Sequence, residues 1–193
     1  MIRIACVEDI PAILDIYAPY VLNTTFTFEY TVPSAEEFSA RFQEITKQFP
    51  WLVWEENGKV LGYAYASAPF TRAAYQWCAE PSIYLAPEIQ GKGIGRRLYC
   101  ALEELLKRQG YRVLYAIITQ ENLASLAFHE KLGYTQIAQL SDCGWKFDRW
   151  LGVVWMEKRH VFVDSPSIFP VSIADIVDYS QKTEDIFAIL SLS

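Results

Sequence analysis

The sequence predicts an α/β fold, a central mixed and twisted sheet flanked by helices. Three observations carry that expectation. Extended and amphipathic helical patterns alternate along most of the chain. An apolar extended segment, Ser82-Ile83-Tyr84-Leu85, enters a glycine-rich turn, Gln90-Gly91-Lys92-Gly93-Ile94-Gly95, and an amphipathic helix leads out of it to residue 109. Residues 112–119 are then almost continuously apolar, the pattern of a strand buried on both faces, and such a strand–helix–strand crossover is parallel.

Taken in order, residues 2–5 read as a short strand. Glu8-Asp9-Ile10-Pro11 opens a helix, because acids and proline suit a first turn, and Ile10, Ile13, Leu14 and Tyr17 give it one apolar face. Residues 24–28 follow as an extended segment. Ser34-Ala35-Glu36-Glu37 is a capping box that starts a second helix. Residues 51–55 and 60–66 flank Asn57-Gly58, a pair that closes β-hairpins. The next strand spans 76–85. Pro81 lies inside it and has no N–H to give to a ladder, which predicts a bulge or a splayed edge there. The helix after the glycine turn points Ile94, Leu98, Leu102 and Leu105 inward and stops at Gly110. A short helix over 123–132 ends at Gly133, and strands over 135–140 and 150–158 bracket a loop at 142–149. The tail carries no motif. Pro166 and Pro170 break it, while Ile186, Phe187 and Leu190 fit one short amphipathic helix. We expect one domain over 1–160 and an extension over 161–193 packed on that domain or on a partner copy.

A chain of 193 residues with 52% hydrophobic content is long and apolar enough to bury a sizeable core, which excludes a disordered segment. No apolar run approaches the length of a membrane span, and the first residues pass directly into a strand, so a cytoplasmic protein is expected. A net charge of −6 argues against nucleic acid as a partner. Cys6, Cys78, Cys100 and Cys143 form no CxxC pair and read as free thiols. With only two histidines, no metal site is expected.

The glycine turn carries the first chemical signal. Glycines let the backbone approach a ligand closely, and the first N–H groups of the helix after them converge where the helix dipole is positive. Lys92, Arg96 and Arg97 add charge around the same turn. Such geometry holds a phosphate. The spacing is not that of a Walker loop, since no Lys-Ser or Lys-Thr follows, nor that of a dinucleotide fingerprint, whose last glycine interval is longer. On the residues alone the turn either holds an anion or binds nothing.

The pattern Gln-x-x-Gly-x-Gly at 90–95 resembles the pyrophosphate loop of the GNAT superfamily of acyl-CoA-dependent N-acetyltransferases. The resemblance covers about residues 2–158. It extends to Phe49-Pro50-Trp51-Leu52-Val53, Gly62-Tyr63-Ala64-Tyr65-Ala66, Arg72-Ala73-Ala74-Tyr75-Gln76-Trp77-Cys78-Ala79-Glu80, His129-Glu130-Lys131-Leu132-Gly133-Tyr134 and Gly144-Trp145-Lys146-Phe147. These segments narrow it to the phosphinothricin N-acetyltransferase group. The resemblance implies a GNAT fold, acetyl-CoA as acyl donor with no metal, and acetylation of the α-amine of a small amino acid or analogue in a ternary complex. It also implies a homodimer.

Carried over residue by residue, the resemblance assigns the pyrophosphate to Gln90, Gly91, Lys92, Gly93, Ile94, Gly95 and Arg96. The pantetheine arm falls to the backbone of Ile83, Tyr84 and Leu85, one of whose N–H groups is also the candidate oxyanion donor. Asn122, Ser125 and His129, at i, i+3 and i+7, share one helix face, and the resemblance turns that face from plain solvent exposure into cofactor contact. Glu80 is the candidate general base, acting through a water; an ordinary strand carboxylate is its alternative. His129 stands where many members have a tyrosine that protonates the leaving thiolate, and a merely packed histidine is its alternative. The group more often has a small polar residue where Pro81 stands. For the acceptor, Arg72 and Lys146 are candidates to bind a carboxylate, with Phe28, Tyr75 and Trp77 as walls. Cys78 has no neighbouring base in sequence, so no acyl-enzyme is expected. Two competing functions keep the fold: transfer to a polyamine, an antibiotic or a protein N-terminus, and a non-catalytic acyl-CoA-binding module.

Overall fold

The computed structural model describes residues 1–160, 169–177 and 186. Among them, the elements run β1 (Ile2–Ile4), α1 (Ile10–Asn23), α2 (Ala35–Thr46), β2 (Trp51–Glu56), β3 (Lys59–Ser67), β4 (Cys78–Leu85), α3 (Ile94–Gln109), β5 (Val113–Thr119), α4 (Leu123–Lys131), β6 (Thr135–Lys146) and β7 (Arg149–Arg159). The strands form one mixed sheet in the order β1-β2-β3-β4-β5-β7-β6. All neighbours are antiparallel except β4 and β5, which α3 connects in parallel.

Two cores cover the two faces. The α3 face buries Leu98, Leu102, Leu105 and Leu106 against Ala64, Ala79, Leu114 and Ala116. The other face buries Ile10, Ile13 and Tyr17 of α1 and Phe38 and Phe42 of α2 against Trp51, Val53 and Tyr63. The capping box forms: Glu37 donates its N–H to Ser34 Oγ at 3.1 Å, and Ser34 donates its own to Glu37 Oε2 at 2.8 Å. The hairpin between β2 and β3 turns at Asn57 and Gly58, with φ of 51° and 75°, the signs a type I′ turn requires.

Two local expectations are corrected. The loop over 142–149 is instead a continuation of both strands. β6 absorbs an irregularity between Leu140 and Gly144, then turns tightly at Phe147 and Asp148, with φ of 52° and 56°. Phe-Asp is not a usual pair for such a turn, so the sequence hid it. Residues 24–28 form no strand; they pack as a loop against β6. As for the tail, residues 169–177 dock on the domain. Gln48 and Gln109 donate side-chain N–H groups to the Val171 carbonyl at 3.1 and 2.9 Å, and Ile173 is fully buried. Phe187 and Leu190 of the expected tail helix lie outside the described residues, and Ile186 is buried in the α3-face core.

The feature that positions the site is the parting of β4 from β5. They pair only at Cys78–Val113 and Ala79–Leu114, whereas β4 stays in register with β3 from Glu80 to Leu85. Pro81 marks the parting without breaking the β3 ladder. In an antiparallel pair successive residues direct their backbone groups to opposite sides. Ala86 donates to the Leu61 carbonyl, so Tyr84, Ser82 and Glu80 face β3, and Leu85, Ile83 and Pro81 face the opening toward β5. The missing N–H of Pro81 is therefore missing on the side where no ladder exists.

Candidate active site

The splayed strands and α4 enclose a slot of about 90 Å³, lined by Glu80, Pro81, Ser82, Ile83, Tyr84, residues 116–119, Asn122, Ser125 and His129, with Tyr20 and Phe26 at its mouth. A larger open cleft of about 840 Å³ adjoins it on the α1 side and shares Tyr20 and Phe26. The carboxylate and the imidazole sit in the smaller slot.

Glu80 and His129 reach the slot from opposite faces of the sheet. Alternation puts Glu80 on the face of Tyr84, with α1 and α2, while His129 touches Tyr99 of α3. Glu80 is half-buried and has neither a hydrogen bond nor an ion pair among the described residues; burial alone pushes its carboxyl above the ordinary range. His129 is buried, and burial pushes its imidazole down against the opposing effect of the Ser125 carbonyl. Its Nδ1 lies 2.8 Å from that carbonyl and 3.3 Å from Ser125 Oγ, and its Nε2 lies 2.9 Å from Tyr99 Oη. Asn122 caps α4 by accepting the Ser125 N–H at 3.1 Å. The structure thus brings Glu80, Ile83, Asn122, Ser125 and His129 together.

The three β4 backbone positions are not equivalent. Tyr84 spends its groups on β3. Leu85 is engaged by Tyr20, whose hydroxyl donates to the Leu85 carbonyl at 2.6 Å and accepts its N–H at 3.3 Å. Ile83 faces the opening with no partner among the described residues. At the glycine turn, Gly91 and Gly93 take φ of 72° and 78°, with open space where a side chain would stand. Gly95 is required for contact instead: an added Cβ would lie 3.0 Å from Leu85 Cδ1. Lys92 and Arg96 are exposed there, Ile94 is buried, and Arg97 stacks over Trp54 at 5.1 Å. Gln90 folds back, donating to Tyr20 Oη at 3.1 Å and the Leu85 carbonyl at 3.2 Å. Two left-handed glycines over open space, followed by a helix N-terminus, suit a pyrophosphate.

The acceptor residues do not converge with Glu80 within the chain. Arg72 and Tyr75 line a separate cavity of about 290 Å³ with Phe70, Cys78 and Tyr111. Trp77 packs on Phe169, ring centres 5.5 Å apart. Lys146 is buried and donates to the Thr27 carbonyl at 2.7 Å, and burial pushes its ammonium down. Phe28 packs against Gly144 on the same strand. Sequence reasoning missed Tyr20, Phe26 and Thr119. Thr119 is buried in the slot wall with its hydroxyl unpartnered among the described residues. No motif flags these residues, because they matter only once the two strands part.

Comparison with known proteins now settles the family. The acetyltransferase (GNAT) domain model matches residues 2–155. The chain belongs to the GNAT family. This acetyltransferase is 38% identical to phosphinothricin N-acetyltransferase of Alcaligenes faecalis over 159 residues, 81% of each chain. It is 37% identical to the L-amino acid N-acyltransferase MnaT of Escherichia coli, covering 81% of this chain and 91% of that one. A GNAT phosphinothricin acetyltransferase from Sinorhizobium meliloti, solved with acetyl-CoA, superposes with a TM-score of 0.83 at 36% identity, covering 88% and 95% of the two chains. The protein is an acetyl-CoA-dependent N-acetyltransferase of the phosphinothricin and amino-acid type. No helix among its described residues is long and apolar enough to cross a membrane.

Proposed function

We propose that the enzyme acetylates the α-amine of a small amino acid or analogue, of the phosphinothricin or methionine sulfoximine kind, by direct attack in a ternary complex. The observation that carries this reading is a partnerless, half-buried carboxylate and a buried neutral imidazole facing one slot from opposite sides. The curated relatives named for phosphinothricin, methionine sulfoximine and L-amino acids support the acceptor class.

Gly91, Gly93 and the N-terminus of α3 hold the pyrophosphate, with Lys92 and Arg96 beside it. Acetyl-CoA supplies an activated thioester. Ile83 offers a backbone N–H that faces the slot from the β4 side, which serves the pantetheine arm or the oxyanion. Glu80, raised by burial, accepts the proton an ammonium must lose before it can attack. His129 and Ser125 stand on the opposite side, where the thiolate leaves. Cys78 lies in the cavity of Arg72, outside the slot, and burial pushes its thiol up, so it is no ready nucleophile. Residues 161–193 act as an extension of the domain, a reading supported by the docking of Val171 and Ile173 on it.

Thiol release from acetyl-CoA with a panel of amines tests this. We expect turnover with methionine sulfoximine and phosphinothricin and little with their decarboxylated amines, a polyamine or a peptide N-terminus. Equal turnover of acid and decarboxylated amine would remove the amino-acid reading. No release with any amine would remove the enzymatic one.

A further inference from the structure

His129 lines the slot with both ring nitrogens already engaged. The residue is 4% exposed. Its Nδ1 lies 2.8 Å from the Ser125 carbonyl, one turn back on α4. A carbonyl can only accept, so this contact requires a hydrogen on Nδ1 and commits it. Its Nε2 lies 2.9 Å from Tyr99 Oη of α3, and that nitrogen is occupied whichever of the two holds the hydrogen. A ring held at both nitrogens has no N–H left to aim at a ligand.

Ser125 differs. It stands one turn earlier on α4, is half-buried and lines the same slot. Its Oγ lies 3.3 Å from His129 Nδ1. The hydrogen in that contact belongs to Nδ1, so Oγ takes part as an acceptor. Its own hydrogen has no acceptor among the described residues; in particular, it does not bond the carbonyl one turn back, the usual partner of a serine inside a helix. Asn122 Oδ1 accepts the Ser125 N–H at 3.1 Å and so fixes the turn from which the hydroxyl projects.

We propose that Ser125 is the catalytic residue on the leaving-group side: its hydroxyl donates a hydrogen bond to the coenzyme A sulfur, and His129 is a positioning residue that orients this hydroxyl through Nδ1. The role rests on the function proposed above. The attacking nitrogen gives up two protons in all. Glu80 takes the one that frees the lone pair and returns it to water when product leaves. The second, acidic once nitrogen is bonded to carbon, passes to water. When the C–S bond breaks, its electron pair stays on sulfur and coenzyme A departs as a thiolate. A thiol of ordinary pKa, near ~8.5, is a fair leaving group at neutral pH, so one hydrogen bond to the forming charge suffices. Ser125 and His129 keep their hydrogens throughout, and nothing on α4 has to be reset between turnovers.

The test uses the full chain. Coenzyme A is bound without acceptor, and its thiol is titrated by ultraviolet difference absorbance of the thiolate. The bound thiol should be on the order of tenfold more acidic in the parent than in Ser125→Ala, the worth of a hydrogen bond to a charged group. Ser125→Thr keeps the hydroxyl and should restore most of that difference. In steady-state assays Ser125→Ala should lose ~10–10²-fold in kcat, less than an oxyanion-hole donor because a thiolate is the more stable anion, with KM for acetyl-CoA within about twofold. His129→Gln should lose less. Ser125→Ala/His129→Gln should lose no more than Ser125→Ala alone, because the histidine acts through the serine. The serine variants carry the test if His129→Gln fails to fold. Nitrogen NMR should find a hydrogen on His129 Nδ1. A bare Nδ1 overturns the proposal, since the serine hydroxyl would then donate to the ring. So does a folded Ser125→Ala protein with the parent's kcat and bound-thiol acidity. A His129→Gln loss that persists in full on top of Ser125→Ala also overturns it and returns the acid to the imidazole. A parent that binds coenzyme A but is inert with every amine would instead overturn the enzymatic reading beneath it.

Discussion

At the scale of single residues, Glu80 is an acid whose surroundings, among the described residues, give its charge no cation and no N–H. Its folded pKa lies above the ordinary 4.5 because of burial. The folded state then binds the proton more tightly than the unfolded chain, so ionising Glu80 lowers stability as pH rises from about 4.5 through the raised value. Above the raised value that cost is present in full. Glu80→Gln does not carry it, and should unfold at higher urea than the parent at pH 7, with the gap closing below the ordinary carboxylate range. A variant less stable at pH 7, or a gap independent of pH, would show that Glu80 has a partner in solution. Glu80 and His129 were legible as candidates because family segments surround them. The environment that equips them was not, since neither the missing partner of Glu80 nor the Tyr99 contact to His129, thirty residues away in sequence, leaves a local trace. Lys146 shows the converse. Its charge in a matching segment pointed to a carboxylate, but the fold spends that ammonium on the Thr27 carbonyl.

At the scale of elements, the unit that matters is strand, glycine turn and helix. Its glycines do two kinds of work. Gly93 needs its left-handed φ, where an L side chain costs roughly 1–2 kcal/mol. Gly95 needs its missing side chain, because α3 lies against Leu85 and Ile83. Gly93→Ala should therefore destabilise by about 1–2 kcal/mol and Gly95→Val by about 1–3 kcal/mol through overpacking. Both should weaken coenzyme A binding, measured by calorimetry on protein shown to be folded. Unchanged affinity in both would mean that the pyrophosphate sits elsewhere. The turn was legible because glycines are needed for local backbone reasons. Pro81 predicted correctly that the strand would splay, but not on which side. That depends on the parity of the β3 ladder, which only pairing fixes.

At the scale of the whole molecule, the sheet separates two chemistries. Tyr17, Tyr63, Tyr65 and Tyr84 build one face and leave Glu80 on it, while α3 and α4 build the other and place His129 there. The parted strands open between them at the slot. The order of elements and the parallel crossover were readable from periodicity. The gathering of Tyr20, Phe26 and Thr119 was not, because it arises from three elements distant in sequence. The central claim is that this slot is where an amine loses its proton to Glu80 and attacks. A pH–rate profile of kcat/KM for the parent and Glu80→Gln tests it most directly. The amide keeps the size and loses the basicity, so the account predicts a loss of ~10²–10⁴-fold at neutral pH that shrinks as the amine deprotonates unaided at alkaline pH. A variant with the parent's rate and profile, or a loss constant across pH, would contradict it.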